Sequence, residues 1–341
     1  MKAARKSSWR ARATALAAIL PRGRLHPEVL AWADGRSGSE PWAVAFSGGA
    51  DSLCLLLLLW AHWPRRRRRL RALHFDHRLR GAAAREDARF CRRVGRALGL
   101  AVVVGEWAEA RPSASEAEAR TARFAFFERE MRAHRIRALW LGHQQDDIAE
   151  NLMMRLARGS GASGLAAPRP LSAGSAGRRH VRPLLALKKA ELTAALREGG
   201  IPWREDASNV RGDFFRNRIR GRVLPAWGEA AGRDALAGAA HSRELLQEDD
   251  EALEAWVEAL RPLTAKRELA LNRLAGRPAA VVRRALHRWL LAQPRAGRLS
   301  RHGFEELLAA VRAGRPWRRS LGSHGFAVIR GRRLRFEGGA R

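Results

Sequence analysis

Cysteine is almost absent from this 341-residue chain: Cys54 and Cys91 are the only two, and they form no Cys-x-x-Cys pair. That excludes a disulfide framework and a four-cysteine zinc or iron–sulfur site. Tyrosine is missing altogether and lysine is rare. Acids are also scarce: 34 Asp and Glu face 65 Lys and Arg, leaving a net charge of +31. A GC-rich genome can favour arginine over lysine, but it does not explain the shortage of acidic partners. The imbalance points to a polyanionic partner, nucleic acid above all. No apolar run approaches the ~20 residues of a membrane span. The apolar stretch Ala13–Leu20 near the basic start is short and lacks an Ala-x-Ala site after it, so a cytoplasmic protein is expected.

What is present reads as globular. Hydrophobic residues make up 46% and charged residues 29%, and the length allows two domains with a core each. Strand and helix signals alternate in the first half: strands at 42–46, 70–75, 100–104 and 138–142, with helices at 53–60, 84–98 and 115–135 between them. Such alternation predicts a doubly wound, Rossmann-like parallel sheet with ligands beyond the carboxyl ends of its strands. Residues 159–182, rich in Gly, Ser, Ala and Pro, read as a lid, a binding loop or a disordered segment. Past about residue 230 the pattern becomes helical, with apolar stripes at Leu253/Val257/Leu260, Val282/Leu286/Trp289 and Phe304/Leu308/Val311, then short strands near 326–330 and 333–336. The expected division is an N-terminal extension (1–40), an α/β domain (41–230) and a helical domain with a small β tail (231–341).

The most informative segment joins the first strand to an apolar helix: Ser47, Gly48, Gly49, Ala50, Asp51 and Ser52. Adjacent glycines let the chain turn with no Cβ to fend off phosphate oxygens, and the amides at a helix start converge on an anion. The loop lacks the Lys-Ser/Thr ending of a Walker-type loop. In its place stands Asp51, a carboxylate where a phosphate would sit, which calls for Mg²⁺ between the two charges. A second constellation follows the fourth strand: His143, Asp146, Asp147 and Glu150. On a helix His143, Asp147 and Glu150 share one face. The acids can hold the metal, and His143 can donate to a phosphate or act as acid or base. A plain helix start with acids in its first turns is the bland alternative.

Ser-Gly-Gly-x-Asp-Ser after a strand resembles the pyrophosphate loop of the N-type ATP pyrophosphatases, which cleave ATP between the α and β phosphates. The segment from Gly142 to Asn151, followed by Arg158-Gly159-Ser160-Gly161, narrows the resemblance to the tRNA(Ile)-lysidine synthetase family. His74-Phe75-Asp76-His77-Arg78-Leu79-Arg80-Gly81, Glu118-Ala119-Arg120 with Arg123-Phe124, Arg182-Pro183-Leu184-Leu185, Asp206-Ala207-Ser208-Asn209 and Arg216-Asn217-Arg218-Ile219-Arg220 continue it in order. The resemblance spans roughly residues 42–225. Gln144 departs from the family's second histidine, Asn151 from its threonine and Phe124 from its tyrosine.

The resemblance implies ATP-dependent ligation of L-lysine to carbon 2 of the wobble cytidine of an isoleucine tRNA with a CAU anticodon. The route would pass through an adenylated tRNA. By this likeness Ser47 to Ser52 and His74 bind ATP, and Asp51 and Asp147 hold Mg²⁺. Asp147 or Glu150 handles the lysine proton, and Arg120, Arg218 and Arg220 neutralise charge or grip RNA. Arginines of the basic tail, among them Arg318 and Arg319, are candidate tRNA contacts. A tRNA thiolase of the same superfamily and a non-catalytic RNA-binding scaffold are the alternatives. The first needs sulfur chemistry that two isolated cysteines do not favour. The second does not need such costly clustered acids.

Overall fold

The computed structural model describes residues 8–78, 81–111, 114–205, 215–293, 299–321 and 325–338. The chain divides into two compact units, Met1–Glu244 and Leu245–Arg341.

In the first unit, helices α1 (Trp9–Ile19) and α2 (Pro27–Asp34) precede strand β1 (Trp42–Ala45) and helix α3 (Ala50–His62). Next come β2 (Leu70–Asp76), α4 (Ala82–Leu98), β3 (Ala101–Glu106), α5 (Glu116–Ala133), β4 (Ala138–Trp140) and α6 (Gln145–Leu156). A short α7 (Ala162–Leu165), β5 (Leu171–Ala173), β6 (Arg179–Val181) and α8 (Lys189–Glu198) follow. Then α9 (Phe215–Arg218) runs through a π turn into α10 (Leu224–Ala231), and α11 (Ala235–Leu260) carries the chain past the division.

The six strands lie in the order β3-β2-β1-β4-β6-β5, all parallel except β5, which runs antiparallel to β6. The chain winds outward from β1 to β3 and then returns to β4 on the other side of β1. That reversal opens a crevice beyond the carboxyl ends of β1 and β4, where such sheets bind ligands. Both faces are covered. Leucines 53 and 55–59 of α3 are buried on every side, packed with α1, α4 and α8. On the opposite face Phe126, Phe127 and Met131 of α5 pack on Leu73 and Leu139. The doubly wound parallel sheet expected from the alternating pattern is the observed fold.

Two expectations change. Residues 9–34 are no appendage: Leu16, Leu20, Leu25 and Val29 are buried in the same core as α3, because α1 covers the apolar flank of that helix. The segment 159–182 is not an open loop, since it contains α7, β5 and β6. Three-residue strands are too short to print a period in the sequence; β6 is held by its ladder to β4, with Trp140 opposite Val181.

The second unit holds α12 (Ala279–Ala292), α13 (Arg301–Ala313) and an antiparallel sheet ordered β7-β10-β9-β8. Its strands are β7 (Leu269–Ala270), β8 (Trp317–Ser320), β9 (Gly325–Arg330) and β10 (Arg333–Gly338). Pro278 opens α12. Ser300 caps α13 by accepting the Gly303 amide at 3.1 Å, and Gly314 ends it in the left-handed region at φ 63°. Leu286, Trp289, Leu307, Ile329 and Leu334 share its core. The small β tail is thus a four-stranded sheet; β7 and β8 were not legible in the sequence. Among the described residues no helix is long and apolar enough to cross a membrane.

Candidate active site

The glycine loop sits where β1 meets α3. Gly48 has φ +89°, which favours glycine, and a Cβ there would crowd the Phe90 ring at 3.2 Å and Cys91 Sγ at 3.3 Å. Ser47 and Ser52 brace the turn, their hydroxyls 3.0 Å apart, and the Ser47 amide donates to Ser52 Oγ at 3.2 Å. Gly49 is the N-cap of α3. The amides of Ala50, Asp51 and Ser52 therefore have no partner within the helix and carry the positive end of its dipole. Asp51 lies in that first turn. One of its oxygens, Oδ1, is buried with no hydrogen-bond partner among the described residues. Burial first, and then the nearby Asp147 carboxylate, raise its pKa to about 6. A buried acid beside another acid is poised for a cation.

The end of β4 closes against this loop. A Cβ on Gly142 would come within 3.1 Å of the Asp51 carbonyl, which fixes why glycine stands there. His143 lies before α6 and not on it, contrary to the shared helical face expected for His143, Asp147 and Glu150. Gln144 is the N-cap: its side chain accepts the Asp146 amide at 2.5 Å, while Asp147 Oδ2 accepts the Gln144 amide at 3.0 Å. Here Gln144 does a structural task. Asp146 is structural too, since its Oδ2 accepts the Lys189 amide at 2.9 Å and ties α6 to the start of α8.

Asp147 and Glu150 do share a face, and arginines meet them there. Arg216 Nη2 donates to Asp147 Oδ1 at 2.5 Å and its Nε to Glu150 Oε2 at 2.6 Å. Arg220 Nε donates to Glu150 Oε1 at 2.5 Å. Burial alone would lower both guanidiniums, but the adjoining carboxylates outweigh it and hold them above the usual arginine value. Residues 216 and 220 are one helical turn apart. Arg218, two positions on, faces away and is exposed, with its guanidinium 5.8 Å from the Phe215 ring.

These parts border one cavity of about 1010 Å³. Ser47, Gly49, Ala50, Asp51, Ser52, His74, Arg120, His143, Asp147 and Arg220 line it; Gly48 and Glu150 stand behind the wall. Arg123, Lys189, Arg204 and Arg216 also line it. His74 gives its Nδ1 hydrogen to the Phe46 carbonyl at 2.9 Å, leaving a buried Nε2 without a partner among the described residues. Burial lowers its pKa. Phe124, in place of a tyrosine, lies under Arg120, whose guanidinium is 4.7 Å from the ring. Arg182 donates from Nε to His143 Nδ1 at 3.1 Å. Burial and then Arg120 pull Arg182 down to about 10. The Asp206–Asn209 motif and Leu79-Arg80 lie outside the described residues.

Lys189 belongs to no motif, yet its residue type was a signal. The chain has five lysines, and Lys188-Lys189 are two of them. Lys188 pairs with Asp234, whereas Lys189 makes no ion pair among the described residues and bears electrostatically on Asp51.

The tail arginines divide. Arg318 stacks on Phe326 at 3.6 Å, Arg319 pairs with Glu306, and Arg333 and Arg335 pair with Glu268 at 3.0 and 2.9 Å. Arg312, Arg315, Arg330 and Arg332 are exposed and make no ion pair among the described residues. Arg319 is thus an internal partner more than an open contact.

A PP-loop domain family model matches residues 26–227. The tRNA(Ile)-lysidine synthase of Mycolicibacterium paratuberculosis is 34% identical over 298 residues, covering 85% of this chain and 87% of that protein. The chain belongs to the tRNA(Ile)-lysidine synthase family of PP-loop proteins. The enzyme of that name from Gloeobacter violaceus is 36% identical over 258 residues, 72% of this chain and 75% of the relative. The one from Solibacter usitatus is 44% identical over 183 residues, 54% of this chain but 40% of the relative. The chain spans less than half the length of several of the relatives it matches.

Proposed function

We propose that the chain uses ATP to adenylate the carbon-2 oxygen of the wobble cytidine in an isoleucine tRNA with a CAU anticodon, then ligates L-lysine at that carbon. In the first step the cytosine oxygen attacks the α phosphorus, an O–P bond forms, and pyrophosphate leaves. In the second the ε-amine of lysine attacks carbon 2, the C–O bond breaks, and AMP leaves with its electron pair. The products are lysidine, AMP and pyrophosphate.

One observation carries this reading: the amide-lined glycine loop with its orphaned Asp51 oxygen opens into the same cavity as Asp147 and a ring of arginines. The loop amides and Lys189 would receive the pyrophosphate. Asp51 and Asp147 fit Mg²⁺, which typically takes one or two carboxylates plus phosphate oxygens. When bound, it would neutralise charge on the phosphates. His74, with its free Nε2, would lie beside the nucleotide. Arg120, and Arg216 and Arg220 held in place by Glu150, would offset the charge that builds on the phosphorus oxygens. Glu150 commits both oxygens to these guanidiniums. Of the two acids Asp147 lines the cavity, so it is the one placed to orient the lysine ammonium. Its oxygens already accept from Arg216 and the Gln144 amide, so the ammonium proton passes to solvent. The exposed Arg312, Arg315, Arg330 and Arg332, with Arg318, would grip tRNA phosphates. Sulfur transfer finds no support, because Cys54 and Cys91 are both fully buried and burial pushes both thiols up.

Mass spectrometry of the anticodon nucleosides after incubation with tRNA, ATP and lysine tests the proposal. The expected result is a wobble cytidine heavier by lysine less water. An unmodified cytidine with active protein, or a gain matching sulfur, would overturn it.

A further inference from the structure

We infer that Arg182 is a positioning residue that fixes the proton of His143 on Nε2, so that this imidazole acts as a neutral hydrogen-bond donor to a phosphate oxygen and not as a base. The identity of the phosphate rests on the proposed function; the position of the proton does not. Arg182 Nε donates to His143 Nδ1 at 3.1 Å. A guanidinium has no acceptor, so Nδ1 must offer its lone pair. A neutral imidazole then carries its single proton on Nε2.

Arg182 is not free to swing away. Its Nη1 donates to the Arg169 carbonyl at 2.8 Å and to Ser172 Oγ at 2.9 Å, and the residue is buried. Those anchors come from β5 and the segment before it, so the short antiparallel edge of the sheet holds the imidazole in register. The surroundings keep the ring neutral as well. Burial, with Arg182, Arg216, Arg120 and Arg123 around it, holds His143 well below the usual histidine value. The ring lines the cavity, and its Nε2 makes no hydrogen bond among the described residues. A preorganised donor facing a site where phosphate charge develops is worth about 10²–10³ in rate.

The test needs no assumption about activity in its first arm. Nitrogen-15 spectra of the histidine rings, with His143 assigned by its loss in His143→Asn, should show an unprotonated Nδ1 and a protonated Nε2. In a folded Arg182→Met variant the two tautomers should mix. A proton on Nδ1 in the wild type, or an unaltered tautomer in folded Arg182→Met, would overturn the inference. The second arm compares His143→Gln with His143→Leu in ATP–pyrophosphate exchange with tRNA. Glutamine keeps a donor near the Nε2 position and cannot take a proton, so it should retain activity within about tenfold while leucine loses about 10²–10³. Equal losses in both would point to a base and defeat the inference. A wild type with no exchange at all would sink the proposed function, and the ring spectra would still decide the tautomer.

Discussion

At the scale of single residues, burial without a partner is what separates Asp51 from the other acids of the site. Asp146 caps, Glu150 is doubly paired, and Asp147 is shared between a cap and Arg216. Asp51→Asn should abolish AMP formation while the protein stays folded; wild-type rates at saturating Mg²⁺ would sink the metal assignment. The same change should stabilise the free protein at pH 8. An acid raised to about 6 from a usual value near 3.8 costs stability fully above pH 6, and that cost vanishes as pH falls below 3.8. The difference in Tm between variant and wild type should therefore disappear near pH 3.5. Lys189 makes a second case, because an arginine-rich chain keeps an amine there. Lys189→Met should lower pyrophosphate exchange by about tenfold to a hundredfold, as expected for one charge-assisted hydrogen bond. Exchange at the wild-type rate would remove Lys189 from the site.

Among the elements, the decisive feature is how closely the end of β4 approaches the start of α3. Backbone atoms of Asp51 and Ser52 lie 3.1–3.2 Å from where a Gly142 Cβ would stand. Backbone cannot rotate aside as a side chain can, so Gly142→Ala should shift the loop by a few tenths of an ångström. Small misplacements at a reacting centre are costly, and the expected loss in kcat is about tenfold or more, with the fold retained. Full activity in a folded Gly142→Ala would mean that the two elements are not coupled. The cap of α6 was legible as a motif but not as geometry. From spacing alone His143 fell on the helix, whereas Gln144 takes the N-cap and leaves the histidine in the loop, pinned by a residue 39 positions later.

For the whole molecule, two properties follow from composition and burial together. Removing residues 315–341 to test the basic tail would strip β8, β9 and β10 and uncover Leu307 and Val311, so substitution is the cleaner probe. Replacing Arg312, Arg315, Arg330 and Arg332 with Gln should raise the KM for tRNA and leave the KM for ATP unchanged. For every phosphate no longer neutralised, the log–log salt dependence should flatten by about 0.7–0.9. An unaltered slope would show that these arginines do not grip the RNA. Acid stability follows from five histidines of the first unit, His26, His62, His74, His143 and His180, all lowered mainly by burial, His26 to about 4. Below pH 6.5 the unfolded chain binds more protons than the folded one. Their contribution is intact above pH 6.5 and is lost as pH falls toward 4, with Asp51 working in the opposite direction. Urea midpoints should drop between pH 7 and pH 4.5; a flat profile would contradict this burial pattern.

By itself the sequence determined the alternating α/β order, the glycine loop with its carboxylate, the paired acids after the fourth strand and the helical character of the second half. Each is local: a period, a turn residue or a cap is visible within a dozen positions. Three-residue strands such as β5 and β6 have no period to read and exist through their ladders. The helices before residue 40 gave no motif, yet their leucines complete the core around α3. Glu150 was legible as an acid, but that it anchors Arg216 and Arg220 was not, because those pairs span 66 and 70 positions. Charge partners and hydrogen-bond roles depend on distances between segments remote in sequence, and only the folded chain sets those distances.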